Sequence, residues 1–348
     1  MVFTGILLGA GPASACNVPV FRYALERWKP DAYEVHVFHK GQLSERDRAA
    51  VRLLERQAAG AANVGVEVVD LDKNPDESLR ELYAEQRGAT PPWVVVRTSD
   101  LNAEAVTVWS GKLDAAAVAA LLDSPVRREV VRRILSGETA VWLLLESGDR
   151  AKDDAAEELL RTELARLARK LKLPKLTDDP VDRISPKGPP LRVAFSVIRL
   201  KRDDPAERLL VKTLLTSEDD LAAKTEPMAF AVFGRGRTLA ARVGRGLNAK
   251  EIRSACVRLL APCTCDVQKD LACFDLLLSA DWASTGAVPP PAPVLPAQKP
   301  PPPPASSEPL TVEEDQSLVA RRVLWGAIGG MALLVVVTGV WALRSGRG

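Results

Sequence analysis

The sequence predicts an α/β fold written twice in tandem, followed by a stalk and a membrane span. Three observations carry this. Strand and helix patterns run in the order β-α-β-α-β-β-α over about residues 30–125, and the same order returns over 138–262. A proline directly precedes the third strand of each copy, Pro92 in the first and Pro227 in the second. Near the C-terminus, Val323 to Leu343 is a run of 21 residues without a formal charge. At 1.5 Å per residue it spans about 31 Å, the thickness of a bilayer core.

In the first copy, Tyr33–His39 alternates and is rich in β-branched residues, so it reads as a strand. Ser44 with Asp47 opens a helix in the manner of a capping box, and Val51, Leu54 and Ala58 keep helical spacing. Val64–Leu71 is a second strand, and Asp76–Gln86 a helix with Leu79, Leu82 and Tyr83 on one face. The strand Trp93–Val96 follows Pro91-Pro92, then the strand Val106–Trp109, then a helix through Val118, Leu121 and Leu122.

The second copy begins with the strand Ala140–Leu145. A helix from Lys152 to Leu173 carries Ala156, Leu160, Leu164, Leu167 and Leu171 as one stripe. The strand Arg192–Leu200 and the helix Pro205–Leu215 lead to Pro227 and the strand Met228–Phe233. The Gly234-Arg235-Gly236 turn leads to a strand over Thr238–Val243. Asn248, with Glu251 three residues on, caps a last helix through Ile252, Cys256 and Leu260. A helix over 126–137 links the copies, and a cysteine-containing tail extends the second to residue 280.

This element order, with its proline before the third strand, resembles tandem thioredoxin-like domains. The resemblance implies that Pro92 and Pro227 stand where that family has a cis-proline beside a groove for an extended chain. Its oxidoreductases carry Cys-x-x-Cys between the first strand and first helix, where the helix N-terminus generates a reactive thiolate. Here those places hold His39-Lys40-Gly41-Gln42-Leu43 and Ser147-Gly148-Asp149-Arg150-Ala151, without a cysteine. The copies therefore read as redox-inactive binding modules. The whole layout also resembles uncharacterised membrane-anchored proteins of high-GC bacteria such as planctomycetes.

The five cysteines leave alternatives open. Cys256 falls on an apolar helix stripe and reads as core. Cys263, Cys265 and Cys273 are disulfide or thiol candidates: a bridge from Cys273 to one of the other two, a redox pair of Cys263 and Cys265, metal binding with Cys256, or inert thiols. The spacings match no usual zinc pattern, and no cofactor is expected. His36 and His39 differ by three along a strand, so they point to opposite faces and share no metal. Gly234-Arg235-Gly236-Arg237, with Gly244-Arg245-Gly246, lacks the ending of a phosphate loop and reads as a hairpin turn. Arg127, Arg128, Arg132 and Arg133 lie close together on the linker helix, as a solvated face or a patch for an acidic partner or lipid headgroups.

Both ends bear on location. Residues 1–15 are apolar and end in Ala13-Ser14-Ala15, as a secretory signal or a buried first strand. Cleavage after Ala15 would leave Cys16 first, a candidate lipid acceptor. Eleven of the 26 prolines lie between Pro289 and Pro309, so 285–320 reads as a semi-rigid polyproline stalk. Arginines flank 323–343, and Trp325 and Trp341 sit near its ends. Gly326 and Gly330 form a GxxxG that would allow a homodimer. Lys+Arg 47 against Asp+Glu 45 gives a net charge of +2, which excludes nucleic acid as the main partner. The sequence therefore predicts a single-pass bacterial membrane protein, its domains outside the cytoplasm, that binds or scaffolds an envelope partner without catalysis. The rivals are a thiol oxidoreductase or metal-handling protein using the late cysteines, and a cytoplasmic tail-anchored adaptor.

Overall fold

The computed structural model describes residues 16–98, 105–263 and 272–285. Residues 1–15, Cys265, the stalk and 323–343 lie outside them, with the expectations placed there. Among the described residues no helix is long and apolar enough to cross a membrane. The fold is mixed α/β with two sheets, both in one compact unit.

The chain enters through a helix that the sequence reading missed, α1 (Val20–Arg27). Then come β1 (Tyr33–His39), α2 (Glu45–Ala58), β2 (Val64–Asp70), α3 (Glu77–Ala84), β3 (Trp93–Arg97), β4 (Thr107–Lys112) and α4 (Ala115–Leu122). The first sheet has the order β2-β1-β3-β4; β1 and β2 are parallel, the other pairs antiparallel. Val35 and Val37 point to the face under α2 and α4, where Leu54, Val118 and Leu121 are buried. Phe38 points to the opposite face, beneath Leu82 of α3. Ser44 caps α2, accepting from Asp47 N–H while its hydroxyl donates to the Asp47 carboxylate.

After α5 (Pro125–Leu135) the second sheet follows: β5 (Ala140–Leu145), α6 (Arg150–Lys170), β6 (Phe195–Leu200), α7 (Arg208–Thr216), β7 (Met228–Phe233), β8 (Arg237–Leu239), β9 (Arg242–Val243), α8 (Ala249–Leu260) and β10 (Cys273–Asp275). Its order is β10-β8-β7-β5-β6, with β9 also on β7 and only β5 and β6 parallel. The predicted strand over Thr238–Val243 is two short strands, β8 and β9. β5 and β7 are buried at every position, because both faces are covered. One face lies under α1, α6 and α8, with Trp142, Leu160 and Ile252 inside. The other carries Val130 and Ile134 of α5, Leu210 and Leu214 of α7, and the tail residues Leu276, Leu278 and Trp282.

Two segments that lie outside both repeats in the sequence pack on the second sheet. α1 precedes the first sheet in the chain but packs on the second. Its Val20, Phe21 and Ala24 are buried there, and Asn17 N–H and Nδ2 donate to the buried Asp182 carboxylate. Along 126–137 one face is buried, with Val130 and Ile134 against the second sheet, while Arg128 and Arg132 stay exposed. Arg127 is 2% exposed and donates to the carbonyls of Ala120, Leu121 and Leu277 and to Ser124 Oγ. The expected cationic patch therefore loses Arg127, which the helix turns inward to satisfy carbonyls. Arg132 and Arg133 share Glu129, and Arg128 pairs with Asp123.

Gly234-Arg235-Gly236 is the β7–β8 turn, as expected. Gly234 and Gly236 have φ of 59° and 108°, and a Cβ would meet Ala24 Cβ at 2.7 Å or Leu278 at 2.9 Å, so glycine is required twice over. Arg235 reaches from this turn to the carbonyls of Leu25 and Glu26 at the end of α1. Gly244-Arg245-Gly246 differs from the reading: it is a 3₁₀ turn that leads into α8, not a turn between strands.

Candidate functional site

The loop from β5 to α6 spans Glu146 to Asp149 and stands at the C-terminal end of β5. It is closed on itself. Asp153, 2% exposed in the first turn of α6, accepts from Ser147 N–H at 2.7 Å, Ser147 Oγ at 2.8 Å and Gly148 N–H at 3.1 Å. Asp149 caps the helix, accepting from Ala151 and Lys152 N–H. Gly148 makes the turn with a φ of 90°. The N–H groups of Ser147, Gly148, Ala151 and Lys152 are thus already used.

Two concavities flank the loop. On one side is a polar cleft of about 930 Å³, beyond the C-terminal ends of β5 and β6. Arg199 anchors it, donating to the carboxylates of Glu146, Asp154 and Glu157. The Arg199 hydrogen bond holds the Asp154 carboxyl below its ordinary range. Hydrogen bonds from Arg161, and from Arg199, outweigh burial and do the same for Glu157. Neither is therefore poised for proton exchange near neutrality. Arg202 spans from Glu146 O to Glu226 O and so joins this cleft to the second concavity. That is a groove of about 550 Å³ between α6 and the 244–247 turn, lined by Lys152, Ala155, Leu159, Pro227, Arg245 and Leu247 among others.

The two prolines differ. The Pro91–Pro92 peptide is cis, and Pro92 O accepts from Leu113 N–H. The bond before Pro227 is not cis, which corrects the expectation for that position. Pro227 instead leads straight into β7, and its carbonyl accepts from Gly244 N–H at 3.2 Å, which holds the 244–247 turn against the groove. At the matching loop of the first sheet, His39 Nδ1 lies 2.9 Å from Gly41 O, and Gly41 N–H donates to Asp72. His39 lines a separate hollow of about 500 Å³. His36 lies between Glu67, 3.1 Å from Nδ1, and Glu34, 3.5 Å from Nε2.

Cys256, Cys263 and Cys273 all border the core cluster on the α1, α6 and α8 face of the second sheet. Cys256 sits in the core on α8, and burial pushes its thiol up to about 12. Cys273 is a free thiol on β10 opposite Leu239, also pushed up to about 12 by burial. Cys265, one of the two partners expected for a bridge to Cys273, lies outside the described residues. Cys263 is buried, with its N–H donating to Val18 O. The Cys16 thiol lies 3.4 Å from Val181 O. Among the described residues no group of three His, Cys, Asp or Glu could hold a metal ion.

Sequence reading located the loop but missed the residues that define its surroundings. Neither Asp153, one of two adjacent aspartates, nor Arg199, inside the strand Arg192–Leu200, belongs to any motif in the sequence. An acid four residues after a cap is the one local signal for such a clamp. No family model matches the chain, and no curated protein matches it. Among solved structures it is similar to a crystal structure of full-length ERdj5, at 12% identity and a TM-score of 0.20. The match covers 67% of this chain and 32% of that one, so the chain spans about a third of that structure's length.

Proposed function

We propose that the chain is a membrane-anchored, non-catalytic binding protein of the bacterial envelope, built on two thioredoxin-like domains without thiols. In this reading 323–343 is the anchor, 285–320 the stalk, and a protein partner binds beside the β5–α6 loop. The domain assignment is supported by element order and by the strand order β2-β1-β3-β4, which returns as β6-β5-β7-β8. The anchor is supported by the length and flanks of the apolar run.

The observation that carries the functional reading is the loop closed over Asp153 beside the Pro227 groove. The place for chemistry is filled by a self-satisfied turn, while the adjoining surface remains concave and partly apolar. A thiol enzyme needs the reverse, a thiol lowered toward neutral pH and reachable from solvent. Burial raises Cys256 and Cys273 instead.

A photo-crosslinking amino acid at Ala155, an exposed position in the groove, tests the reading in the full-length protein in native membranes. A discrete protein adduct is expected at Ala155 and none at Glu55, exposed on α2. In parallel, purified full-length protein should not reduce insulin. Absence of an adduct at Ala155 overturns the binding site. Insulin reduction that disappears in a folded Cys263→Ser/Cys265→Ser variant overturns the non-catalytic role.

A further inference from the structure

One end of the first sheet is an open strand edge. Among the described residues β2 pairs with β1 alone. Tyr33 N–H donates to Asn63 O at 2.8 Å, and Tyr33 is in register with Val64. In a parallel pair this turns the backbone groups of Asn63, Gly65, Glu67 and Val69 toward β1, and those of Val64, Val66, Val68 and Asp70 outward. Among the described residues no further backbone hydrogen bond reaches Val66 or Val68. The edge lacks the usual protection, since no lysine, proline or bulge interrupts Val64–Asp70. Val68 is 39% exposed on it. Both acids are held: Glu67 lies 3.1 Å from His36 Nδ1, and Asp70 3.5 Å from Lys73 Nζ. The hollow of about 500 Å³ adjoins this edge, with Val68, Asp70, Pro75 and Leu79 in its lining. The chain's own tail shows the sense in which a strand is added here. Ser279 forms an antiparallel bridge with Ala62, and Ala280 N–H donates to Ala61 O at 2.9 Å, just before β2 begins. From there the tail runs away from β2.

We propose that β2 is a dimerisation strand, which pairs antiparallel with β2 of a second copy of this chain about a two-fold axis at Val68. A two-fold axis beside a strand edge makes the pair antiparallel, the sense the tail already takes. The position of the axis follows from what each register brings together. With the axis at Val66 or earlier, the copy's chain falls on Ala62, which Ser279 already holds. With the axis at Glu67, two like charges stand face to face. With the axis beyond Val68, the overlap shrinks to Val68–Asp70 or less. At Val68 the overlap is Val66–Asp70: Val66 meets Asp70 of the copy, Glu67 meets Val69 of the copy, and Val68 exchanges both backbone bonds with its counterpart. The strand thus matches itself in one register. The pairing uses neither the Pro227 groove nor Gly326 and Gly330, and it goes beyond the binding role proposed above. So short a pair buries less than the roughly 1,200 Å² of a standard interface, so the dimer is weak and reversible and is best seen by trapping it.

The test uses the full-length protein in detergent micelles, in the variants Val66→Cys, Glu67→Cys and Val68→Cys. Glu55→Cys, exposed on α2, is the collision control, and the unsubstituted chain gives the background of the native cysteines. Residues opposite each other in a hydrogen-bonded pair have Cα atoms about 5.5 Å apart, inside the range of a disulfide. Under copper phenanthroline, Val68→Cys should form a reducible dimer at least about tenfold faster than Glu55→Cys, and faster than the other two. Adding Val66→Pro should bring the Val68→Cys rate to within about twofold of the control, because proline there removes an outward N–H and leaves the bonds to β1 intact. A Val68→Cys rate no faster than the control overturns the dimer. A fastest rate at Val66→Cys or Glu67→Cys overturns its register. A Val68→Cys rate that survives Val66→Pro overturns the strand pairing. In native membranes, a photo-crosslinking amino acid at Val68 should give an adduct of twice the chain's mass. An adduct within one chain, an adduct to a protein of another mass, or none overturns the second copy as the occupant.

Discussion

Asp182 shows how much one buried carboxylate can hold. It is 1% exposed and accepts from Asn17 N–H, Asn17 Nδ2, Thr177 N–H and Thr177 Oγ. Burial opposes its ionisation, but these hydrogen bonds outweigh burial and bring the carboxyl down from 3.8 to about 2. A depressed carboxyl adds stability that is present above its unfolded value and is lost as pH falls through its folded value. We expect Asp182→Asn to cost about 2 kcal/mol in urea unfolding above pH 4.5. The difference should shrink as pH falls from about 4 toward 2; a difference unchanged over that range would refute the assignment. Such a residue is opaque in the sequence, because one aspartate in DDPVD looks like any other. The His39–Leu43 and Ser147–Ala151 loops were legible, since a strand-to-helix junction can be read from the change of hydrophobic period alone.

Among the elements, α1 departs furthest from what the sequence pattern allows. Its buried residues include Arg22 and Glu26, so the apolar stripe that marks a core helix is broken twice. The two form a buried pair, and Glu26 also accepts from Ser185 N–H while Arg22 donates to the carbonyls of Ser185 and Pro189. Glu26→Ala leaves Arg22 charged and unmatched. It should lower stability by about 3–5 kcal/mol. Arg22→Met with Glu26→Leu should cost much less. Equal losses in thermal melts of the two variants would show that the ion pair is not what holds α1. By contrast β1, β5 and β7 were readable, either from alternation or from uninterrupted apolar runs such as AVWLLL and MAFAVF. β10 is three residues long, too short to carry a period.

At the scale of the molecule the two sheets are bolted together by polar groups rather than by a loose link. Arg127 ties the end of α4 to the tail at Leu277, and burial pulls its pKa down against the field of Glu207. Asp275 accepts from Asp31 N–H and Arg237, while Tyr33 donates to Asp275 O. We expect Arg127→Met to strand buried carbonyls at a cost of about 3 kcal/mol. Hydrogen exchange should then show β1 and β3 opening ahead of β5 and β7. Simultaneous opening of both sheets in the variant would argue against Arg127 as the tie. The placement of α1 also has a consequence during synthesis. Its partners at Val181, Pro189, Arg235 and Ala261 lie more than 150 residues downstream. The ribosome thus releases Val20, Phe21 and Leu25 long before anything can cover them. Strict vectorial folding is closed to this chain: a piece made before both sheets is among the last to be seated, and a holdase that shields it meanwhile would raise its yield.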